Sequence, residues 1–179
     1  MDFSRVTTPQ RVSLLISFLD IQGFLGISQK LNDPLDLFAL LDDLAKMIIH
    51  DVDASSGRVI KLIGDSALVV YPEEAIDRGV NALLALKTRL EEDLSRRGFS
   101  NRLRMTAHFG EAAIGLLGEG QCRHLDVLGD SVNTAAMLER TGHGGRLILS
   151  PQAFRRLSSS TRKLFHRFTP PQVYLAEER

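Results

Sequence analysis

The 179-residue sequence is poor in the features that mark several protein classes. It holds one cysteine, Cys122, and no tryptophan. A lone thiol excludes an intrachain disulfide framework and suits a reducing compartment. No apolar run approaches the roughly 20 residues that span a bilayer. Met1 to Gln10 lacks the charged-then-apolar order of a signal peptide, so the expectation is a soluble, cytoplasmic chain with no membrane span within it. Charge of one sign is also missing, because 22 Lys and Arg balance 22 Asp and Glu. No global field therefore draws the chain to nucleic acid or an anionic surface, and an anionic ligand must be held by local groups. His50, His108, His124, His143 and His166 show no zinc-ligand spacing with one another or with Cys122. Arg155, Arg156, Arg162 and Lys163 around Ser158 to Ser160 read as a solvated basic surface.

What is present is the balance of a soluble globular protein: 44% hydrophobic and 25% charged residues. No linker, repeat or low-complexity tract divides the chain. The reading is one domain over residues 1–179, with a core at about 11–150 and a divergent part at 151–179.

Val12 to Leu19 is nearly all apolar and stops at Asp20, the pattern of a buried central strand with an acid at its carboxyl end. Helices follow at Phe24 to Leu31 and from Pro34 to about Val52. The second repeats Leu37, Leu40, Leu41, Leu44 and Ile48 at helical spacing behind a cap at Asp33. Strands at Arg58 to Ile63 and Ser66 to Tyr71 flank Gly64-Asp65, a tight hairpin signal. Pro72 opens another helix, with Ala75, Ile76, Val80, Leu83, Leu84, Leu86 and Leu90 on its apolar face. Arg102 to Phe109 alternates as a strand, Gly110 breaks it, and Ala112 to Leu117 resumes. A helix at about Asp130 to Arg140, a strand at Arg146 to Leu149, a short helix after Pro151 and a strand at Val173 to Ala176 complete the chain. The order predicts an α+β fold with a ferredoxin-like βαββαβ core and additional C-terminal helix and strands.

On that topology the first and third strands are antiparallel neighbours, which brings Asp20 and Asp65 to one sheet edge. Unpaired carboxylates so placed repel, and one tends to protonate. A hard cation resolves the conflict, and Mg²⁺ is typically held by one or two carboxylates plus substrate phosphates. The N–H groups of Ile21-Gln22-Gly23-Phe24, turning into a helix, are candidates to receive phosphate oxygens. Taken singly, Asp20 reads as a helix cap and Gly64-Asp65 as a hairpin turn; their convergence is what points to a metal.

Three segments carry a resemblance to class III adenylyl and guanylyl cyclase catalytic domains. Phe18 to Phe24 resembles the metal-binding opening, and Lys61 to Asp65 the second metal motif. Leu125 to Asn133 resembles the segment that binds purine and presents an Asn to the reacting phosphate, and Gly145 to Ser150 matches the strand that follows. The resemblance implies metal ligation by Asp20, Ile21 and Asp65, with two Mg²⁺ or Mn²⁺ ions per site. It implies that Gly23 and Phe24 contact substrate and that Asn133 fixes the ribose. Lys61 and Asp126 match the base-selecting pair: Lys donates to adenine N1 and Asp accepts from the exocyclic amine, a pattern guanine opposes. It implies conversion of ATP to cyclic AMP and pyrophosphate in a homodimer whose sites draw on both subunits.

The resemblance fails at two places. Met137 stands where the family has a transition-state Arg; Arg140, one turn on, lies on roughly the same face. The terminal hairpin is short and its triphosphate-binding Lys unmatched, with Lys163 and Arg167 nearby. The readings these departures leave are a slow cyclase, or a nucleotide-binding or dimerising regulatory module without turnover.

Overall fold

The computed structural model describes residues 1–138, 145–169 and 171–177. Strand β1 (Gln10–Ile21) is followed by α1 (Phe24–Leu31), α2 (Pro34–Ala54), β2 (Arg58–Ile63), β3 (Ser66–Pro72), α3 (Ile76–Arg96) and β4 (Leu103–Leu117). Then come β5 (His124–Leu128), α4 (Asp130–Met137), β6 (Leu147–Leu149), α5 (Pro151–Arg156), α6 (Ser159–Arg162), β7 (Phe165–Phe168) and β8 (Val173–Ala176). Among the described residues the strands form one sheet in the order β2-β3-β1-β4-β6-β8-β7, with β5 on the far half of β4. The first four strands have the antiparallel βαββαβ arrangement expected from the sequence. Strand β6 joins β4 in parallel and starts the C-terminal extension.

Two-residue periodicity divides β1 between two cores. Leu15, Leu19 and Ile21 face α2 and α3, where they pack on Leu40, Leu44, Ile48, Val80, Leu83 and Leu90. Leu14 and Ile16 face the opposite side with Leu68, Val70, Ile114, Val127 and Ala135, the last on α4. Each fully buried aliphatic side chain contributes roughly 1.5–3 kcal/mol before ordering costs. The cap on α2 is as expected, since the Asp33 carboxylate accepts the Leu35 N–H at 2.8 Å and Pro34 opens the helix.

Three expectations need correction. Pro72 closes β3 and caps the 3-10 turn Glu73–Ala75, so the long helix itself starts only at Ile76. The proline's backbone is extended, and it pairs with Leu14 as the last residue of the β1–β3 ladder. Gly110 does not break its strand: β4 runs unbroken through it, paired with Leu14 of β1. Glycine is required there by packing, because a Cβ would lie 2.3 Å from Ser131 Oγ of α4. The stretch before α4 contains β5, whose His124 to Leu128 pair with Leu117 to Ala113. Arg140, expected at the end of the α4 helix, lies outside the described residues, as does His143.

Tyr71 is fully buried at the end of β3, its hydroxyl 3.2 Å from Ser55 Oγ. A Cβ on Gly57 or Gly79 would approach its ring to 2.5 Å and 2.6 Å, so both glycines serve a close contact.

Candidate active site

The antiparallel β1–β3 register sets Leu19 opposite Ala67, so Asp20 at the end of β1 meets the turn that begins β3. Ser66 Oγ donates to Asp20 Oδ1 at 3.0 Å, and the Ile21 N–H donates to Asp65 Oδ2 at 3.3 Å. Both acids are half-buried. Burial first, and then the neighbouring Asp20 carboxylate, push the Asp65 carboxyl above its ordinary value. The expected convergence of Asp20 and Asp65 is thus present, with the electrostatic conflict that two adjacent acids create.

A cation that sequence reasoning missed joins this pair. Arg104 lies directly opposite Asp20 in the β1–β4 register, and its Nη2 donates to Asp20 Oδ2 at 2.7 Å. The side chains are 27% and 23% exposed, so the pair is shielded enough to hold a geometry. The available signal was the alternation of Arg102-Leu103-Arg104-Met105, which puts Arg104 on the face opposite the buried Leu103 and Met105. It points to Asp20 only once the strand register is known.

The donor set suits a hard divalent ion held partly by substrate. Two carboxylates converge with only oxygen ligands, and among the described residues no group of three or more His, Cys, Asp or Glu encloses a complete cage.

The loop after Asp20 is tied down on its own chain. The Gln22 N–H donates to the Arg102 carbonyl at 2.9 Å, and Asn101 Nδ2 donates to the Gln22 carbonyl at 2.7 Å. Gly23 takes the left-handed conformation, φ +69°, that turns the strand into α1. This corrects one expectation: the Ile21 and Gln22 N–H groups already have partners, while those of Gly23 and Phe24 stand at the helix start, where Gly23 is exposed and Phe24 half-buried.

Lys61 and Asp126 form a second cluster. Lys61 Nζ donates to Asp126 Oδ2 at 2.8 Å, joining β2 to β5 across 65 residues of sequence. Asp126 is 4% exposed, and its Oδ1 accepts the Val127 N–H at 2.8 Å. His124 Nε2 lies 3.8 Å from the same Oδ2, a neighbour that sequence reasoning did not single out. Asn133 and Met137 are both exposed on α4, four residues apart, while Val132 and Ala135 pack toward the sheet. Neither completes a cluster on its own chain. His108 is buried, 3.0 Å from Ser150 Oγ, and its pKa is lowered by burial. The terminal hairpin is short, with Phe168 opposite Val173, and β4, β6 and β8 stand between β1 and β7, which carries Arg167.

The mixed sheet thus carries two acids at the β1–β3 junction and a Lys–Asp pair across β2 and β5. The chain belongs to the adenylate and guanylate cyclase catalytic domain family, whose model matches residues 6–172. It is 33% identical over 135 residues to human guanylyl cyclase C, covering 71% of this chain and 12% of that protein. It is 23% identical over 155 residues to an adenylate cyclase of Anabaena cylindrica, covering 81% and 31%. The chain therefore spans less than a third of the length of these curated relatives. The adenylyl cyclase CyaB of P. aeruginosa shares the fold, with a TM-score of 0.80 over 96% of both chains at 19% identity. Among the described residues no helix is long and apolar enough to cross a membrane.

Proposed function

We propose that this domain converts ATP to 3′,5′-cyclic AMP and pyrophosphate, at sites shared between two copies of the chain. The observation that carries the reading is the coexistence of the Asp20–Asp65 carboxylates with the Lys61–Asp126 pair, one suited to metal–triphosphate and the other to the adenine edge. Asp20 and Asp65, with the Ile21 carbonyl, would hold two Mg²⁺ or Mn²⁺ ions. Such ions supply activation of the ribose 3′-hydroxyl and charge stabilisation on the phosphates. Cyclisation joins the 3′-oxygen to the α-phosphorus, breaks the bond to the β-phosphate bridge oxygen and releases the hydroxyl proton. Gly23 and Phe24 line the phosphate approach, and Asn133 orients the ribose. Asn133, exposed on α4, would serve the site of a second copy.

Lys61 donates to adenine N1 and Asp126 accepts from the 6-amino group. Arg104, beside Asp20, supplies a cation where the triphosphate brings negative charge. A Met at position 137 removes one transition-state donor, a loss of about 10²–10³ in rate in comparable cases. That substitution and the short β7–β8 hairpin favour the second reading, a nucleotide-binding, dimerising regulatory module.

Incubation with ATP or GTP and Mn²⁺, followed by detection of cyclic product, decides between them. Cyclic AMP from the parent protein, abolished in Asp20→Ala, is the expected result. Metal-dependent ATP binding without product establishes the regulatory reading, and failure to bind nucleotide overturns both.

A further inference from the structure

We infer that Asn101 is a positioning residue for the triphosphate, aiming the Gly23 N–H in the turn that follows Asp20; the inference rests on the proposed role of Gly23 and Phe24 at the phosphates. Asn101 is half-buried in the connection between α3 and β4. That connection runs along α1 and grips it at both ends. At the far end Lys30 Nζ donates to the Gly98 carbonyl at 3.0 Å and sits 5.1 Å from the centre of the Phe99 ring. Phe99 is buried in the core shared with Leu94 and Leu103. At the near end the Gln22 N–H donates to the Arg102 carbonyl at 2.9 Å, and Asn101 Nδ2 donates to the Gln22 carbonyl at 2.7 Å. The connection is itself anchored to α3, where Glu91 Oε1 accepts the Leu103 N–H at 2.8 Å and a Lys87 Nζ bond at 2.6 Å.

The main-chain N–H and carbonyl of Gln22 are thus held by consecutive residues of one segment. The Gln22 carbonyl and the Gly23 N–H belong to a single planar trans peptide, in which the two bonds point in opposite directions. The bond from Asn101 therefore turns the Gly23 N–H away from the connection, and no acceptor for it lies within hydrogen-bond distance among the described residues. Gly23 is left-handed, φ +69°, and a Cβ there would lie 3.5 Å from Asn101 Nδ2. Glycine gives this turn more backbone freedom than any other residue would, so the orientation of its N–H has to come from a tether.

A side-chain amide suits that tether. Its partner is a carbonyl, so the atom that faces it must donate. Aspartate, with nearly the same shape, would set an oxygen against the Gln22 carbonyl and a negative charge beside incoming phosphate. Alanine would simply release the Gln22–Gly23 peptide. Once released, the peptide rotates among orientations, only some of which present the Gly23 N–H to a phosphate oxygen. The loss therefore falls on the triphosphate and spares the base and ribose. A neutral, partly exposed hydrogen bond sets its size, roughly three- to tenfold in affinity.

The test measures binding of Mn-ATP, Mn-pyrophosphate and adenosine to the parent, Asn101→Ala and Asn101→Asp. The expected result is that Asn101→Ala weakens Mn-ATP and Mn-pyrophosphate by about three- to tenfold and leaves adenosine binding unchanged. Asn101→Asp should weaken both phosphate ligands further and again spare adenosine; because it keeps the shape of the side chain, it carries the comparison even where alanine loosens the fold. A parallel loss of adenosine binding in both variants would show a merely structural role and overturns the inference. Unchanged binding of both phosphate ligands by the variants overturns it as well. Failure of the parent to bind Mn-ATP overturns the proposed function instead, so the two failures are distinguishable.

Discussion

Replacing Asp65 by Asn separates the stability of the domain from its chemistry. The amide is nearly isosteric and keeps an oxygen for the Ile21 N–H, which Asp65 Oδ2 now accepts at 3.3 Å. What disappears is a negative charge beside Asp20, itself already bound by Arg104 at 2.7 Å and Ser66 at 3.0 Å. The sign follows from linkage. Burial and the Asp20 carboxylate raise the Asp65 pKa above its ordinary 3.8, so the folded state holds that proton longer than the unfolded chain. The stability this contributes is complete below pH 3.8 and is lost as pH rises through the raised value. At neutral pH the parent therefore carries a penalty that Asp65→Asn relieves. The site is partly exposed, so the gain is about 0.5 kcal/mol, or about 1–2 °C in Tm for a chain of this size. Function moves the other way. A metal carboxylate supports about 3 kcal/mol or more of transition-state charge stabilisation, so turnover should fall by about 10²-fold or more. Thermal melts at pH 3.5 and pH 7.5, set beside cyclic-product assays and metal–nucleotide binding, check both halves. The stability gain should be present at pH 7.5 and shrink at pH 3.5. A melting point lowered by several degrees at neutral pH would show that the carboxylate is a structural acceptor, and unchanged metal–ATP binding would refute the site.

Two further substitutions address other parts of the molecule. Met137→Arg restores a cation on the exposed face of α4, four residues from Asn133, and should raise kcat more than it lowers KM, because the added interaction forms mainly in the transition state. Equal turnover by parent and variant at saturating Mn-ATP, with dimerisation unchanged, would show that another deficit limits the reaction. Gly79→Ala forces a methyl to within 2.6 Å of the buried Tyr71 ring and should cost about 1–3 kcal/mol, read as a lower denaturation midpoint with an unchanged m value.

Local chemistry determined much of this protein in advance. Apolar alternation in β1, the Asp33-Pro34 cap and the Gly64-Asp65 turn each act over a few residues, and they fold as their local preferences dictate. The order of those elements was enough to place Asp20 beside Asp65, because a βαββαβ chain has few ways to pair its strands. Gly110 shows where local reading stops. Its propensity suggests an interruption, whereas the close seat of Ser131 on the sheet is what requires a residue without a side chain. Register is likewise a property of the whole sheet. Only the pairing of twelve β1 residues with β4 brings Arg104 opposite Asp20. Strand β5 is short, and its position comes from hydrogen bonding to the far half of β4, so the approach of His124 to the carboxylate shared with Lys61 depends on contacts between distant segments. The sequence by itself determined most of the elements and the two acids; the tertiary structure decided which cations meet them, since ion pairing over 65 and 84 residues of chain is governed by strand register rather than by spacing.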